Sequence, residues 1–315
     1  MAFVSRNLVV DLFLTALAPA IWGSTYIVTS QFLPPDRPFI AALLRVLPAG
    51  IALLIWSRRL PLRGEWWKLI VTGILNIGAF QALLFIAAYR LPGGLAAVIG
   101  AIQPLLVMLL AWCVDRQRSP WLAVLSAMTG IVGMAMLLLS PQMTLDPLGI
   151  GAAFLGAMSM ALGTWLSRRW AIALPVIALT GWQLLIGGIV LAPIALLVDP
   201  PLHQVTLTQA AGYLWLCVAG AMLAYGLWFR GIGRLSPVAV SAMSLLSPVT
   251  AVLLGWVFLG QKIEGLALAG LVIVLFSVLS IQRALSNKRA AGVGKSRRRC
   301  CASVRATGPQ TAMNL

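Results

Sequence analysis

Polar and aromatic residues recur inside the long apolar runs of this sequence. Gln81 and Phe85 lie four residues apart in one run, and Tyr225 and Phe229 have the same spacing in a later run. Residues at i and i+4 share one face of a helix, so each pair forms a stripe. A polar side chain in a lipid environment is costly without a partner. The two stripes therefore predict the walls of an amphipathic cavity, with ordinary packing as the alternative.

A second mixed face comes earlier in the chain. Trp22, Thr25 and Tyr26 fall at i, i+3 and i+4, which places them on one side of a helix. Arg45 is the one basic residue set clearly within an apolar run. It lies about 9 Å along a helix from Phe39, so it could snorkel to the membrane surface as a structural residue. The functional alternative is a partner for a substrate carboxylate, or a gate.

Other polar residues at depth extend the set of cavity candidates. Hydrogen bonding between helices is the alternative for most of them, and an interfacial aromatic belt is the alternative for the tryptophan. These candidates are Asn76, Gln103, Trp165, Gln183 and Ser244. Pro104 and Pro248 interrupt two apolar runs and predict hinges, with static kinks as the alternative.

Catalytic chemistry has little support in this sequence. The single histidine, His203, stands beside two prolines, and no two of the seven acidic residues share an apolar run. The four cysteines match no zinc or disulfide spacing, and no phosphate-binding Walker sequence is present. We expect no enzyme activity, no metal and no cofactor. A channel would show a filter loop or charged rings, and neither is visible.

The composition indicates which structural elements hold these residues in place. Of 315 residues 61% are hydrophobic and 10% charged, with a mean hydropathy of +0.97, which a water-soluble domain does not show. Runs of about 20 apolar residues, separated by Pro, Gly and charged breaks, predict an all-α polytopic membrane protein with ten transmembrane helices. The predicted spans are 9–30, 39–57, 67–89, 93–114, 120–140, 147–167, 175–198, 209–229, 236–259 and 263–282.

Basic residues predict the orientation. One side of the predicted bundle receives 19 Lys and Arg, and the other receives 3. By the positive-inside rule both termini are cytoplasmic, in an inner (plasma) membrane. Residues 1–8 are then a cytoplasmic N-terminus, and 283–315 are predicted to be a basic, disordered cytoplasmic tail that favours anionic lipid over nucleic acid. A cleaved signal peptide ending at Ala18 is the alternative for the first span, but it would spoil the charge alternation.

The second half of the chain echoes the first. Positions 81–112 and 225–256, offset by 144, are identical at eight of 32 places, including Arg90/Arg234 and Pro104/Pro248. Two five-helix repeats follow, over 9–140 and 147–282. Five is an odd number, so the second repeat enters the membrane from the opposite side. Inverted repeats are typical of alternating-access transporters, with a substrate site between the halves.

The order of motifs resembles the EamA family of the drug/metabolite transporter superfamily, and within it the amino-acid exporters of the YddG type. The resemblance covers about 9–283. It rests on motifs in the first, second, fourth and ninth spans: Ala20-Ile21-Trp22-Gly23-Ser24, Arg45, Arg90-Leu91 before Gln103-Pro104, and Arg234-Leu235-Ser236-Pro237 before Ser247-Pro248. Asp115-Arg116 and Gly260-Gln261 stand where the family often has Gly-Glu. The resemblance implies a central cavity lined by spans 1–4 and 6–9, with spans 5 and 10 peripheral.

The prediction is an alternating-access secondary transporter that exports small metabolites, most of all aromatic or neutral amino acids, from the cytoplasm. Another solute class (sugar, nucleoside or drug) is the first alternative, and a non-transporting receptor or scaffold is the second. No acidic residue is predicted at mid-membrane, and Asp11 is the deepest. We therefore expect movement of the solute down its own gradient. The oligomeric state stays open.

Overall fold

A computed structural model describes residues 6–91, 93–138, 146–202, 204–260 and 264–306. Within these residues the regular structure is helical, and ten helices are long and apolar enough to cross a membrane. The predicted ends differ from the observed ones by five residues at most. The spanning helices, labelled α1 to α10 in chain order, are Leu8–Phe32, Pro38–Ser57, Arg63–Ala87, Ala96–Cys113, Trp121–Leu138, Pro147–Trp170, Val176–Val198, Leu207–Arg234, Pro237–Leu259 and Leu266–Asn287.

Several helix starts follow from local sequence chemistry. Asp146 precedes Pro147, and its carboxylate accepts a hydrogen bond from the Leu148 N–H at 2.9 Å. Thr206 and Gln209 form a reciprocal capping box at the start of α8. Such caps satisfy backbone N–H groups that have no partner within the helix, while a proline at the first position loses nothing. The breaks read from the sequence are therefore specified by residue type.

The helices alternate in direction, so both ends of the bundle's chain lie at one membrane face, here called the termini face. The α2 helix packs along α7 and α5 along α10, while α1 contacts α8 and α9, and α3 and α4 contact α6. Small residues allow these approaches: a Cβ on Gly270 of α10 would lie 2.5 Å from the Gly133 carbonyl oxygen of α5. The α5–α10 pair lies at the edge of the bundle, which agrees with the peripheral position that the family resemblance implies for spans 5 and 10.

Two helices contain a wide turn at matching positions. Residues Ile74–Ala79 of α3 and Val218–Leu223 of α8 are π-helical, and the two segments are separated by the same 144 residues as the sequence echo. Further breaks fall in α4 at 101–102 and in α9 at 244–245. A π turn costs backbone hydrogen bonding and is usually kept at functional positions. These matching irregularities support the predicted repeat.

The end of the chain differs from the sequence prediction. The last helix continues from Leu266 to Ala306, where we expected a disordered tail from residue 283. The residues after Gln282 include Ala, Leu, Lys and Arg, which have high helix propensity. A helix already nucleated in the membrane gains one backbone hydrogen bond per added residue, which favours its extension.

Candidate functional site

One large cavity lies between the two halves of the bundle. Its volume is about 470 Å³, and it extends from Trp22 to the loop Pro34–Arg37, at the face opposite the termini. Its wall comes from α1, α2, α3, α4, α6, α8 and α9, and no described residue of α5, α7 or α10 borders it. Seven of the eight spans expected around the cavity are therefore there, and α7 is not.

An aromatic and amide cluster forms the inner end of the cavity. The Trp22 ring lies 4.8 Å from the ring of Tyr225 and 5.2 Å from that of Trp228, measured between centroids. The amide nitrogen of Gln81 donates to the Tyr225 hydroxyl at 3.3 Å. Positions 81 and 225 differ by 144, so these are equivalent residues of the two halves that contact each other. Contact between these two positions is what the predicted inverted repeat requires of residues close to its axis.

Arg45 lies against the same cluster. Its side chain is buried, and its Nη2 donates to the Gly220 carbonyl oxygen at 3.0 Å. The indole N–H of Trp22 donates to the same oxygen, also at 3.0 Å. Gly220 belongs to the π-helical turn of α8, where the wide turn loosens the usual backbone pairing and lets a carbonyl accept bonds from side chains. The guanidinium carbon lies 5.8 Å from the centroid of the Tyr225 ring.

Most of the predicted cavity residues border this space. The nine that do are Trp22, Thr25, Tyr26, Arg45, Gln81, Phe85, Gln103, Tyr225 and Ser244. Four others lie elsewhere, namely Asn76, Trp165, Gln183 and Phe229. Phe229 is buried next to Tyr225, with ring centroids 6.0 Å apart, on the side toward the termini face.

Asn76 and Gln183 contact each other outside the cavity. The Asn76 amide nitrogen donates to the Gln183 side-chain oxygen at 2.8 Å and to the Ser167 hydroxyl at 3.0 Å. At the offset of the predicted repeat Asn76 corresponds to Gly220, and Gln183 roughly matches Arg45. The helix-to-helix hydrogen bonding that was the alternative for Asn76 is thus what the structure shows. In one half the Asn76 side chain fills this position, and in the other the side chains of Trp22 and Arg45 bond the backbone there.

The termini face is closed by ion pairs between the halves. Asp11 of α1 accepts from Arg230 at 2.6 Å and from Arg234 at 3.2 Å. Asp115, after α4, pairs with Arg169 of α6 and accepts from the Trp165 indole at 2.7 Å. Trp165 therefore belongs to this closed face.

The opposite face carries the mouth of the cavity. Asp199 accepts a hydrogen bond from the Ile40 N–H at 2.6 Å, and Arg37 donates to the Pro200 carbonyl oxygen at 3.0 Å. Burial raises the pKa of Asp199, although the Ile40 N–H opposes this shift. Nearby, the hydrogen bond from Arg90 lowers the pKa of Asp146.

The two predicted hinge prolines follow the breaks in their helices. Pro104 is buried in the first turn after the break at 101–102, and Pro248 borders the cavity after the break at 244–245. A proline early in a helical segment leaves no N–H unpaired. Movement about these breaks stays a prediction.

One wall of the cavity was missed from sequence. The α6 helix presents a face of small residues with one methionine to the cavity, formed by Ala153, Gly156, Ala157 and Met160. Their spacing of three and four residues is a helical stripe that could have been noticed, since small side chains leave room beside a helix.

In the described part of the chain, ten helices that can cross a membrane form the bundle around this cavity, and this architecture is that of a multi-pass membrane protein. The model of the EamA-like transporter family matches residues 10–139 and 147–283, and this chain belongs to that family.

Relatives share most of their length with this chain. It is 45% identical over 267 residues to protein PecM of Dickeya dadantii, covering 84% of this chain and 90% of PecM. It is 26% identical over 272 residues to the uncharacterized inner membrane transporter YedA of Escherichia coli K12, covering 83% of this chain and 87% of YedA. A crystal structure at 20% identity superposes with a TM-score of 0.74 over 88% of this chain and 98% of the other, which shows the shared fold.

Proposed function

We propose that this protein exports small metabolites from the cytoplasm by alternating access, and that amino acids with aromatic or neutral side chains are its foremost substrates. The observation that carries the proposal is the cavity between the halves, which reaches one membrane face while ion pairs close the other. A solute bound there would have access to one side at a time, which is the requirement of alternating access.

The distribution of charge supports the proposed orientation of the bundle in the membrane. The termini face carries the residues that the positive-inside rule assigns to the cytoplasm, among them Arg58, Arg59, Arg168 and Arg169. The conformation described here is then open to the outside and closed to the cytoplasm. The inner membrane is the corresponding location, in accord with the description of YedA as an inner membrane transporter.

Cavity chemistry supports the substrate. The inner end offers indole and phenol rings, two amides and one guanidinium, which together suit a molecule with an apolar ring and a small polar group. A volume of about 470 Å³ falls within the range of small-molecule sites.

The test is counterflow in proteoliposomes loaded in turn with amino acids, nucleosides or sugars. Tyr225→Phe and Tyr213→Phe form a matched pair on α8: Tyr225 borders the cavity and bonds Gln81, whereas Tyr213 does not border it. We expect Tyr225→Phe to slow amino-acid exchange about two- to tenfold, as for one lost hydrogen bond, and Tyr213→Phe to leave it unchanged. Exchange of sugars or nucleosides alone would redirect the proposal to that solute class, and no exchange of any solute by a folded protein would favour a receptor.

A further inference from the structure

Arg45 is a buried cation with no anionic partner in the part of the chain that the structure describes. Its side chain is 8% exposed, and it takes part in none of the four ion pairs found among the described residues. A guanidinium keeps its charge at any physiological pH, so it cannot avoid the cost of burial by releasing its proton. Such a charge is normally retained only where something compensates it.

The protein satisfies only part of this guanidinium. One Nη2 bond goes to the Gly220 carbonyl oxygen, and the buried Nε has no acceptor among the described residues. Gly220 lies beside this nitrogen, since a Cβ at that position would be 3.4 Å from Nε. In the other half the equivalent Asn76 fills the position and bonds Gln183.

The cavity offers no matching site for a positive charge at this depth. Among the described residues that border it, Asp36 is the one carboxylate, and it lies in the loop at the mouth together with Arg37. The neighbours of Arg45 are instead aromatic: the Tyr225 ring lies beneath it, and Trp22 shares its carbonyl acceptor. The inner cavity thus provides one cation and an apolar surface.

We propose that Arg45 binds the carboxylate of the substrate, and that the ligand class is aromatic or apolar monocarboxylates whose α-amino group is dispensable. The proposal rests on the proposed transport function, whose substrate it narrows. The guanidinium donates one charge-assisted hydrogen bond from its Nε–H to the carboxylate, while the ring of the ligand packs on Trp22 and Tyr225. Deaminated acids are therefore ligands as good as the corresponding amino acids.

Four compounds that share one carbon skeleton test separately whether binding needs the carboxylate and the amino group of the ligand. They are 3-phenylpropionate (an anion), phenylalanine (a zwitterion), phenylalaninamide (a cation) and 3-phenylpropionamide (neutral). Binding is measured by titration calorimetry on the purified full-length protein. We expect the first two to bind with similar affinity, and both amides to bind at least tenfold more weakly.

Variants assign this preference to Arg45. Arg45→Gln keeps a donor for the Gly220 carbonyl oxygen but removes the charge, and it should abolish the preference for acid over amide. Arg59→Gln, an exposed arginine just beyond the other end of α2, is the matched control and should preserve it. Gly220→Ala keeps the charge and places a methyl group in van der Waals contact with Nε, so it should weaken acid binding even if Arg45→Gln does not fold.

Each outcome bears on the proposal. Equal binding of acids and amides by the parent protein would overturn it, as would an acid preference that persists in folded Arg45→Gln. Strong binding of phenylalanine with none of 3-phenylpropionate would refute the dispensable amine. Acid-selective binding that depends on Arg45, but without counterflow of any solute, would leave this inference standing and refute the exporter.

Discussion

Asp11→Asn tests whether the ion pairs at the termini face hold that face closed. The carboxylate of Asp11 connects α1 to Arg230 and Arg234 near the end of α8. Asparagine is nearly isosteric and still accepts a hydrogen bond, so the substitution removes charge with little change in packing. We expect the closed conformation to lose population to conformations open at this face.

The size of the expected shift in the conformational equilibrium depends on how buried each partner of the ion pair is. The Asp11 side chain is 14% exposed and that of Arg230 is 22% exposed, so this pair is partly shielded from water. Arg234 is 56% exposed and contributes little. Loss of one charge-assisted hydrogen bond of this kind costs about 1–2 kcal/mol, which is a five- to thirtyfold shift in the conformational equilibrium.

A cysteine beneath the contact reports the opening. Ala18 is fully buried in α1, one turn beyond Thr15, which packs against Gly231 of α8. In a background free of native cysteines, Ala18→Cys should react with a membrane-impermeant maleimide applied from the termini face five- to thirtyfold faster when Asp11→Asn is added.

Asp146→Asn is the matched control. Asp146 pairs with Arg90, which is 47% exposed, at the other face, and asparagine can still cap α6. This variant should leave labelling of the cysteine at position 18 unchanged. Equal labelling in the parent and Asp11→Asn, or equal acceleration by Asp146→Asn, would refute the reasoning.

Three further predictions concern the rest of the chain. Pro104→Ala combined with Pro248→Ala should slow exchange, measured by counterflow; unaltered rates and sidedness would rule out hinges there. A chain ending after Ser286 should transport normally once inserted, since it ends one residue before the end of the last span; loss of activity would assign a role to the basic tail. An imposed pH or sodium gradient should not drive accumulation of a neutral substrate above equilibrium, because no acidic residue was predicted at mid-membrane; accumulation would make Asp11 the first coupling candidate.

Much of the fold follows from hydropathy and helix breaks, because lipid requires each span to satisfy its own backbone. The π turns at Ile74–Ala79 and Val218–Leu223 could not be predicted in the same way. Neither segment contains a proline, and a wide turn is selected by packing between helices and not by local propensity. The 144-residue echo alone indicated that an irregularity in one half would recur in the other.

In the candidate site too, some features follow from the sequence and others depend on packing between helices. A helical stripe identifies which residues share a face. On this basis Gln81 and Tyr225 were correctly predicted to border the cavity. It does not identify the neighbouring helix, so Asn76 and Gln183 could not be distinguished from cavity residues before their mutual hydrogen bond was seen. Trp165 likewise required the position of Asp115, which lies 50 residues away in sequence.

The difference between Gly220 and Asn76 makes the two halves of the protein inequivalent. If transport proceeds by the halves exchanging conformations, a perfectly symmetric pair of halves would spend equal time facing each side. Here one half offers a bare carbonyl to Arg45, and the other offers an amide that is already bonded to Gln183. The exchange therefore interconverts states of unequal energy, so the protein has a preferred resting side even without a solute gradient. One contribution to that bias comes from the side chain that is present at position 76 and missing at position 220.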